Sequence, residues 1–340
     1  MGGLIHINMK YIYTLLTATA LCLTACENKP TTGQSGNTET AREQQVKVPD
    51  FSADSAFRYV AEQVAFGPRV PNTKAHAACA DYLVRELERS NGKVFVQKAG
   101  VKAFDGKTLN IQNIIAAFYP EKTKRIMLCA HWDTRPFADQ DTKDQDKPID
   151  GANDGGSGVA VLLEVARQLS IQEPEVGVDI IFFDAEDYGQ PENSTYPEMK
   201  DSYCLGSQYW AKNQPTPNYR PYYGILLDMV GGYHATYAQD EVSRAFAPAF
   251  VNKIWDAGVR AGYSSYFIFK QTPPIIDDHY YINTLAAIPT VDIIHHDESS
   301  PSGFWTHWHT HEDKLENIDP QSLKAVGQTL LTLIYQEKAN

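Results

Sequence analysis

The chain has 340 residues, 43% of them hydrophobic, with 42 acidic side chains against 30 Lys and Arg and a formal net charge of −12. So acidic a balance argues against a nucleic-acid partner, whose phosphates call for basic surface. The length and apolar share suffice for one sizeable globular core.

At the N-terminus, Lys10 precedes an apolar run from Tyr11 to Leu23, which leads into Leu23-Thr24-Ala25-Cys26. The run is shorter than the roughly 20 residues that span a bilayer, and small residues precede the cysteine at its exit. Residues 1–25 therefore read as a lipoprotein signal. Cys26 becomes the lipidated mature N-terminus, holding the protein to a membrane of the cell envelope, periplasm-facing or external, through the lipid alone. Residues 26–50 carry almost nothing apolar and read as a flexible tether. Residues 51–340 remain as one domain, for which a monomer is the simplest state. Once Cys22 leaves with the signal and Cys26 is acylated, Cys79, Cys129 and Cys204 are left. Cys129 lies in an apolar run and reads as core, so Cys79–Cys204 is the pair that an oxidising compartment would join, although sequence does not fix connectivity.

Within the domain, short apolar runs rich in Ile, Val and Phe recur at Ile111–Tyr119, Arg125–Ala130, Val178–Asp184, Tyr223–Val230 and Ala287–Ile294. Helical spacing of apolar residues marks Gly155–Leu169, Phe246–Ala261 and Pro320–Glu337. Continuous apolar strands alternating with helices predict a three-layer α/β/α domain, its central, mostly parallel twisted sheet covered on both faces. The segment 189–202, with Pro, Asn, Ser and Tyr, reads as a surface loop.

Polar residues stand where these strands end. Arg125–Ala130 runs into His131-Trp132-Asp133, Val178–Phe183 into Asp184-Ala185-Glu186-Asp187, and Gly224–Leu227 delivers Asp228. Asp154 sits in Gly151-Ala152-Asn153-Asp154-Gly155-Gly156-Ser157-Gly158, whose glycines let backbone approach a ligand closely. In open α/β sheets, ligands bind beyond the carboxyl ends of strands, so these groups converge on one crevice. A catalytic zinc takes His, Asp, Glu or Cys ligands and keeps one position open. The candidates are His131, Asp154, Asp187, Asp228 and His309. Taken singly, Asp154 reads as a helix cap, Glu186-Asp187 as solvated acids and His309 as a surface histidine. Their coincidence at strand ends and one Gly-rich loop points instead to a metal.

Six blocks in this order carry a resemblance spanning residue 51 to the C-terminus: Ala130-His131-Trp132-Asp133-Thr134, Gly151–Gly158, Phe182-Phe183-Asp184-Ala185-Glu186-Asp187, Leu226-Leu227-Asp228-Met229, Asp277-Asp278-His279 and Trp308-His309-Thr310. The chain resembles the type II glutaminyl cyclases of the bacterial kind, within the zinc aminopeptidase superfamily. That resemblance implies conversion of the N-terminal glutamine of peptides and proteins to pyroglutamate, with release of ammonia. It also implies one zinc per chain held by Asp154, Asp187 and His309, with Glu186 as general acid/base. Asp228 and Asp277 would form a hydrogen-bonded acidic pair beside it, and Trp308, with Asp228, would contact the substrate. His131 and Asp133 match the position that binds a second zinc in related aminopeptidases. Many relatives place two glutamates where this chain has Glu186-Asp187, and the shorter aspartate needs a closer backbone.

Two rivals use the same residues. A two-zinc aminopeptidase would hold one metal with His131, Asp154 and Asp228 and the other with Asp154, Asp187 and His309. The acidic Asp277-Asp278-His279 and the aromatic Trp308 favour a site for a small amide instead. A non-catalytic peptide- or metal-binding lipoprotein would need no base, and Glu186 beside a ligand speaks against it. Gly155-Gly156-Ser157-Gly158-Val159 lacks the last glycine of a serine-hydrolase elbow, and no His-Glu-x-x-His occurs.

Overall fold

In a computed structural model that describes residues 47–340, the apolar runs form the middle of a six-stranded sheet. The proposed signal, Cys26 and the tether through residue 46 lie outside the described residues. In chain order the elements are α1 (Ala53–Val64), α2 (Lys74–Arg89), β1 (Lys93–Lys102), β2 (Thr108–Phe118), β3 (Arg125–His131), α3 (Gly156–Ile171), β4 (Gly177–Phe183) and α4 (Leu205–Lys212). They continue with β5 (Tyr223–Asp228), β6 (Tyr237–Gln239), α5 (Glu241–Phe246), α6 (Pro248–Arg260), β7 (Phe267–Gln271), α7 (Asp278–Tyr281), β8 (Thr290–Ile294) and α8 (Pro320–Gln336).

The sheet order is β1-β2-β4-β3-β5-β8. Strands β4, β3, β5 and β8 pair in parallel, while β2 joins β4, and β1 joins β2, antiparallel. The parallel strands are mostly apolar because successive side chains enter different cores, with Asp179 of β4 and Asp292 of β8 as buried exceptions. Ile126, Leu128 and Ala130 of β3, with Val178, Ile180 and Phe182 of β4, belong to the core shared with α1, α3 and α8. Met127, Cys129, Ile181 and Phe183 belong to a second core with Trp210 of α4 and Ile282. Each such fully buried aliphatic side chain contributes about 1.5–3 kcal/mol of hydrophobic stabilisation. The three-layer, mostly parallel architecture expected from the sequence is the one observed.

Chain order sets the crevice. The β3-α3-β4 connection puts β4 on one side of β3, and β4-α4-β5 then crosses to its other side. Ligands bind where such a sheet reverses its winding, here beyond the carboxyl end of β3. Helix α3 approaches β3 and β5 closely at Gly158, where a Cβ would stand 2.5 Å from the Leu227 carbonyl oxygen.

Three expectations are corrected. The helix expected over Phe246–Ala261 is broken at Ala247, because Pro248 has no N–H to continue α5 and instead opens α6. The last strand starts at Thr290 and not Ala287, since Ala287 takes a left-handed φ of 53° after the π-turn 282–286 and Pro289 has no N–H for a ladder. Cys79 and Cys204 do not pair. Both are buried free thiols, Cys79 packed into the α1-α3-α8 core from α2 and Cys204 directed at the Glu186 carboxylate. Cys129 is core, as expected.

Candidate metal centre and active site

The loops after β3 and β4 are fastened together by one carboxylate. Asp133 accepts hydrogen bonds from the amides of Glu186 (3.0 Å) and Asp187 (3.2 Å), so the strand-end acids cannot swing into solvent. Ala185, in the left-handed region at φ 53°, makes the turn that presents them. Cys204 (56°), Met229 (48°) and His309 (55°) share that backbone state, which costs non-glycine residues on the order of 1 kcal/mol or more and gathers at functional sites.

The glycine-rich loop is pinned from the far end of the chain. Asp313 accepts from the amides of Asn153 (2.7 Å) and Asp154 (3.0 Å), and Asn153 Oδ1 accepts from the Gly231 amide. Gly155, at φ 86°, is required here because a Cβ would meet the Asp133 carbonyl oxygen at 2.4 Å. Asp154 does not cap α3, whose N-cap is Gly155 without a side-chain bond. Its carboxylate turns inward instead.

Asp154, Asp187 and His309 thus meet, each offering an atom within 4.8 Å of the others. His309 Nε2 stands 3.0 Å from Asp187 Oδ1 and 3.7 Å from Asp154 Oδ2, while its Nδ1 faces Asp139 Oδ1 at 3.2 Å. Arg135 grips Asp139 through Nε and Nη2, both at 2.7 Å, and donates to the Asp187 carbonyl at 2.9 Å. His309 is 2% exposed and Asp187 1%, so neither is the surface group it could have been.

The donor set fits a divalent cation. Asp154 Oδ2 and Asp187 Oδ2 are buried without a partner among the described residues. Burial, offset in part by Arg135 and His131, raises Asp187 to about 8; burial and then the Asp187 charge raise Asp154. Carboxylates held apart from water beside one another call for a positive charge between them. Burial and then Arg135 lower His309 to about 4, leaving a neutral imidazole with a lone pair to give. Two carboxylates, one imidazole and an open side are what a catalytic zinc takes.

A second group shares Asp154. His131 Nε2 lies 3.0 Å from Asp154 Oδ1 and 3.2 Å from Asp228 Oδ1, and its Nδ1 lies 3.6 Å from Asp133 Oδ1. Burial alone would lower this imidazole, but Asp133, Asp154 and Asp228 together hold it well above its ordinary value. Its ring stands between the carboxylates of Asp154 and Asp228.

A cleft of about 380 Å³ opens onto the metal site. Asp154, Glu186, Asp187, Asp228, Asp277 and His309 all line it, as does Trp308, whereas His131 lies behind them. Trp308 stacks on the His309 ring with centroids 3.8 Å apart, and Phe304 sits 4.9 Å from Trp308. Glu186 is 9% exposed, and burial, opposed next by His131 and aided by the charges of Asp187, Asp277 and Asp278, raises it well above the ordinary range. Asp201, Ser202 and Tyr203, at the end of the loop expected near the mouth, also line the cleft.

The hydrogen-bonded Asp228–Asp277 pair implied by the resemblance is not formed. Asp228 Oδ1 is taken by His131, one Asp277 oxygen accepts from the Asp278 amide at the start of α7, and the other has no partner among the described residues. The two face each other as like charges, and burial together with Asp228 raises Asp277 to about 6.

Four residues went unseen in the sequence: Arg135, Asp139, Asp313 and Cys204. Asp313 had a local signal, lying four residues past His309 in a polar loop. Arg135 and Asp139 pair locally, four residues apart, but their reach to Asp187 and His309, and that of Cys204 to Glu186, shows only in the fold.

The sequence matches the model of peptidase family M28 over residues 113–334. The glutaminyl cyclase of Tannerella forsythia is 53% identical, with a TM-score of 0.84 over 85% of this chain and 100% of that one. A Zn-dependent exopeptidase of Parabacteroides distasonis is 53% identical with a TM-score of 0.84, over 86% and 100%. Among curated proteins, glutaminyl-peptide cyclotransferase of Bos taurus is 23% identical over 303 residues, covering 79% of this chain and 78% of that one. The chain belongs to peptidase family M28, on the branch that holds the bacterial glutaminyl cyclases.

Proposed function

We propose that the protein is a zinc-dependent glutaminyl cyclase with one zinc per chain, held by Asp154, Asp187 and His309. The observation that carries this reading is the Glu186 carboxylate, adjacent in sequence to the proposed ligand Asp187 and lining the same small cleft. Zinc bound there would act as a Lewis acid toward the side-chain amide carbonyl of an N-terminal glutamine. The substrate's own α-amino nitrogen is the nucleophile, so the chain needs no nucleophilic side chain. That amine has a pKa of about 7.7–8.0, and part of it is neutral at physiological pH. Glu186 takes the proton released as the ring C–N bond forms and returns it to the departing nitrogen, which leaves as ammonia. Asp228 and Asp277 line the cleft beside Glu186, where they can accept hydrogen bonds from the substrate's α-amino group. Trp308 walls the cleft and, with intramolecular closure, favours the folded pose that places nitrogen against carbonyl.

A two-zinc aminopeptidase is the second reading, favoured by the His131-Asp154-Asp228 group. The test is a pair of peptides, one beginning with Gln and one with another residue, followed by mass spectrometry. Loss of ammonia from the first alone supports the cyclase; release of a free amino acid from either supports the aminopeptidase.

The lipobox reading supports attachment at Cys26 to a membrane of the cell envelope. Fractionation tests it, since Cys26→Ala then moves the protein to the soluble fraction, and retention on washed membranes refutes the anchor.

A further inference from the structure

Among the described residues, the Glu186 carboxylate has one side-chain donor within hydrogen-bond distance. That donor is the Cys204 thiol, whose Sγ stands 3.2 Å from Oε1. The other oxygen, Oε2, lies 4.0 Å from His131 Nδ1, beyond hydrogen-bond reach. The backbone builds this contact: the Cys204 amide donates to the Glu186 carbonyl at 2.8 Å, and the Leu205 amide to the Ala185 carbonyl at 3.0 Å. Glu186, Cys204 and Asp277 form one tight group, yet Cys204 is fully buried and does not line the cleft. The thiol stands behind the base, out of the substrate's reach.

We propose that Cys204 is a positioning residue for Glu186, its S–H donating to Oε1 so that Oε2 is the oxygen that exchanges the proton. A thiol suits the task. As a weak donor it fixes the rotation of the carboxylate without withdrawing as much of its basicity as a hydroxyl or ammonium would. For the reaction it serves, the proposal rests on the cyclase reading; the hydrogen bond itself does not.

The experiment compares wild type, Cys204→Ala and Cys204→Ser for zinc content, thermal midpoint and steady-state cyclisation of a glutaminyl peptide, and records the infrared S–H stretch of wild type and Glu186→Gln. The expected result is an alanine variant that keeps its zinc and KM but loses roughly tenfold to hundredfold in kcat, the scale of a misplaced catalytic group. Serine, donating from the same place, recovers most of that loss. The S–H band shifts in Glu186→Gln, because an amide oxygen accepts more weakly than a carboxylate. Unchanged kcat in the alanine variant overturns the proposal, and so does an alanine loss that serine fails to recover, which assigns Cys204 to packing alone. Should the alanine variant not fold, the infrared comparison decides, and an unmoved band overturns the contact. Wild type that releases amino acid instead of ammonia defeats the cyclase reading, while the infrared result still tests Cys204.

Discussion

Asp139 stands 3.2 Å from Nδ1 of His309, on the opposite side of the ring from Asp187. Were the proton to sit on Nδ1 beside this carboxylate, Nε2 would be left unprotonated toward Asp187 and Asp154; Arg135 holds Asp139 in place from behind. Asp139→Asn is expected to weaken zinc binding by about 10–100-fold, the usual effect of removing a carboxylate behind a histidine ligand. Competition with a chromogenic chelator measures it. Unaltered affinity would limit Asp139 to holding Arg135.

Glu186→Gln should keep its zinc and lose cyclisation by about 10²–10⁴-fold, the contribution of a positioned proton carrier. Glutamine keeps the shape and loses the exchangeable proton. Near-normal turnover would remove Glu186 from proton transfer, and loss of zinc would make it a ligand.

Elemental analysis of dialysed protein should find about one zinc per chain, the number a three-ligand catalytic site holds. His131→Ala should leave that number unchanged, because His131 lies behind the cleft and away from the Asp187–His309 side. Two equivalents in wild type falling to one in His131→Ala would establish the two-zinc centre.

Gly158→Ala is expected to destabilise the fold by about 1–3 kcal/mol, as overpacking does. The new methyl would stand 2.5 Å from the Leu227 carbonyl oxygen and 3.0 Å from Ala130 Cβ, so helix and sheet must separate. Alanine's better helix propensity returns only about 1 kcal/mol. Denaturant unfolding checks it; a midpoint at or above wild type would show that α3 can shift at no cost.

Far from the site, Glu337 pairs with Lys124 at 2.8 Å and with Lys253. Burial would raise its carboxyl, but the two lysines outweigh that and hold it below its ordinary 4.5. A depressed carboxyl stabilises the fold above the unfolded value, and the gain is lost as pH falls through the folded one. Glu337→Gln should therefore cost about 1 kcal/mol at neutral pH, a usual net worth for such bonds. The gap to wild type should close as pH drops below about 4.5. A constant gap from pH 7 to pH 3 in thermal scans would contradict it.

The parallel strands were legible because burial on both faces keeps them largely apolar, as in Ile180-Ile181-Phe182-Phe183. Edge strand β1 was not, since it is mostly exposed and half-buried and its apolar run Val94-Phe95-Val96 is only three residues long before Gln97 and Lys98. Helices α1 and α2 were also passed over, although Ser52 and Thr73 mark their starts by accepting the amides of Ser55 and His76. The residues proposed to hold the metal were legible as polar side chains just past β4 (Asp187), in the Gly-rich loop (Asp154) and in the late Trp308-His309-Thr310 block. Their supports were not: that Asp139 backs His309 depends on a loop–loop meeting, and that Cys204 faces Glu186 depends on left-handed turns at Ala185 and Cys204.

The Asp313 carboxylate that grips the Asn153 amide closes a loop of 160 residues. A chain halted short of His309 would carry Asp154 and Asp187 but neither the third ligand nor the clasp that orients the first. Contacts of such long sequence separation are slow to form, because closure entropy comes before any reward. On the proposed ligand set, zinc capture would be coupled to the last stage of folding, and a bound ion would add its binding free energy to the native state, about 2.7 kcal/mol at a hundredfold excess over Kd. Withholding zinc during refolding should accordingly leave a looser join between the first and last thirds of the domain, with amide exchange fastest in the loops around residues 151–156 and 309–313.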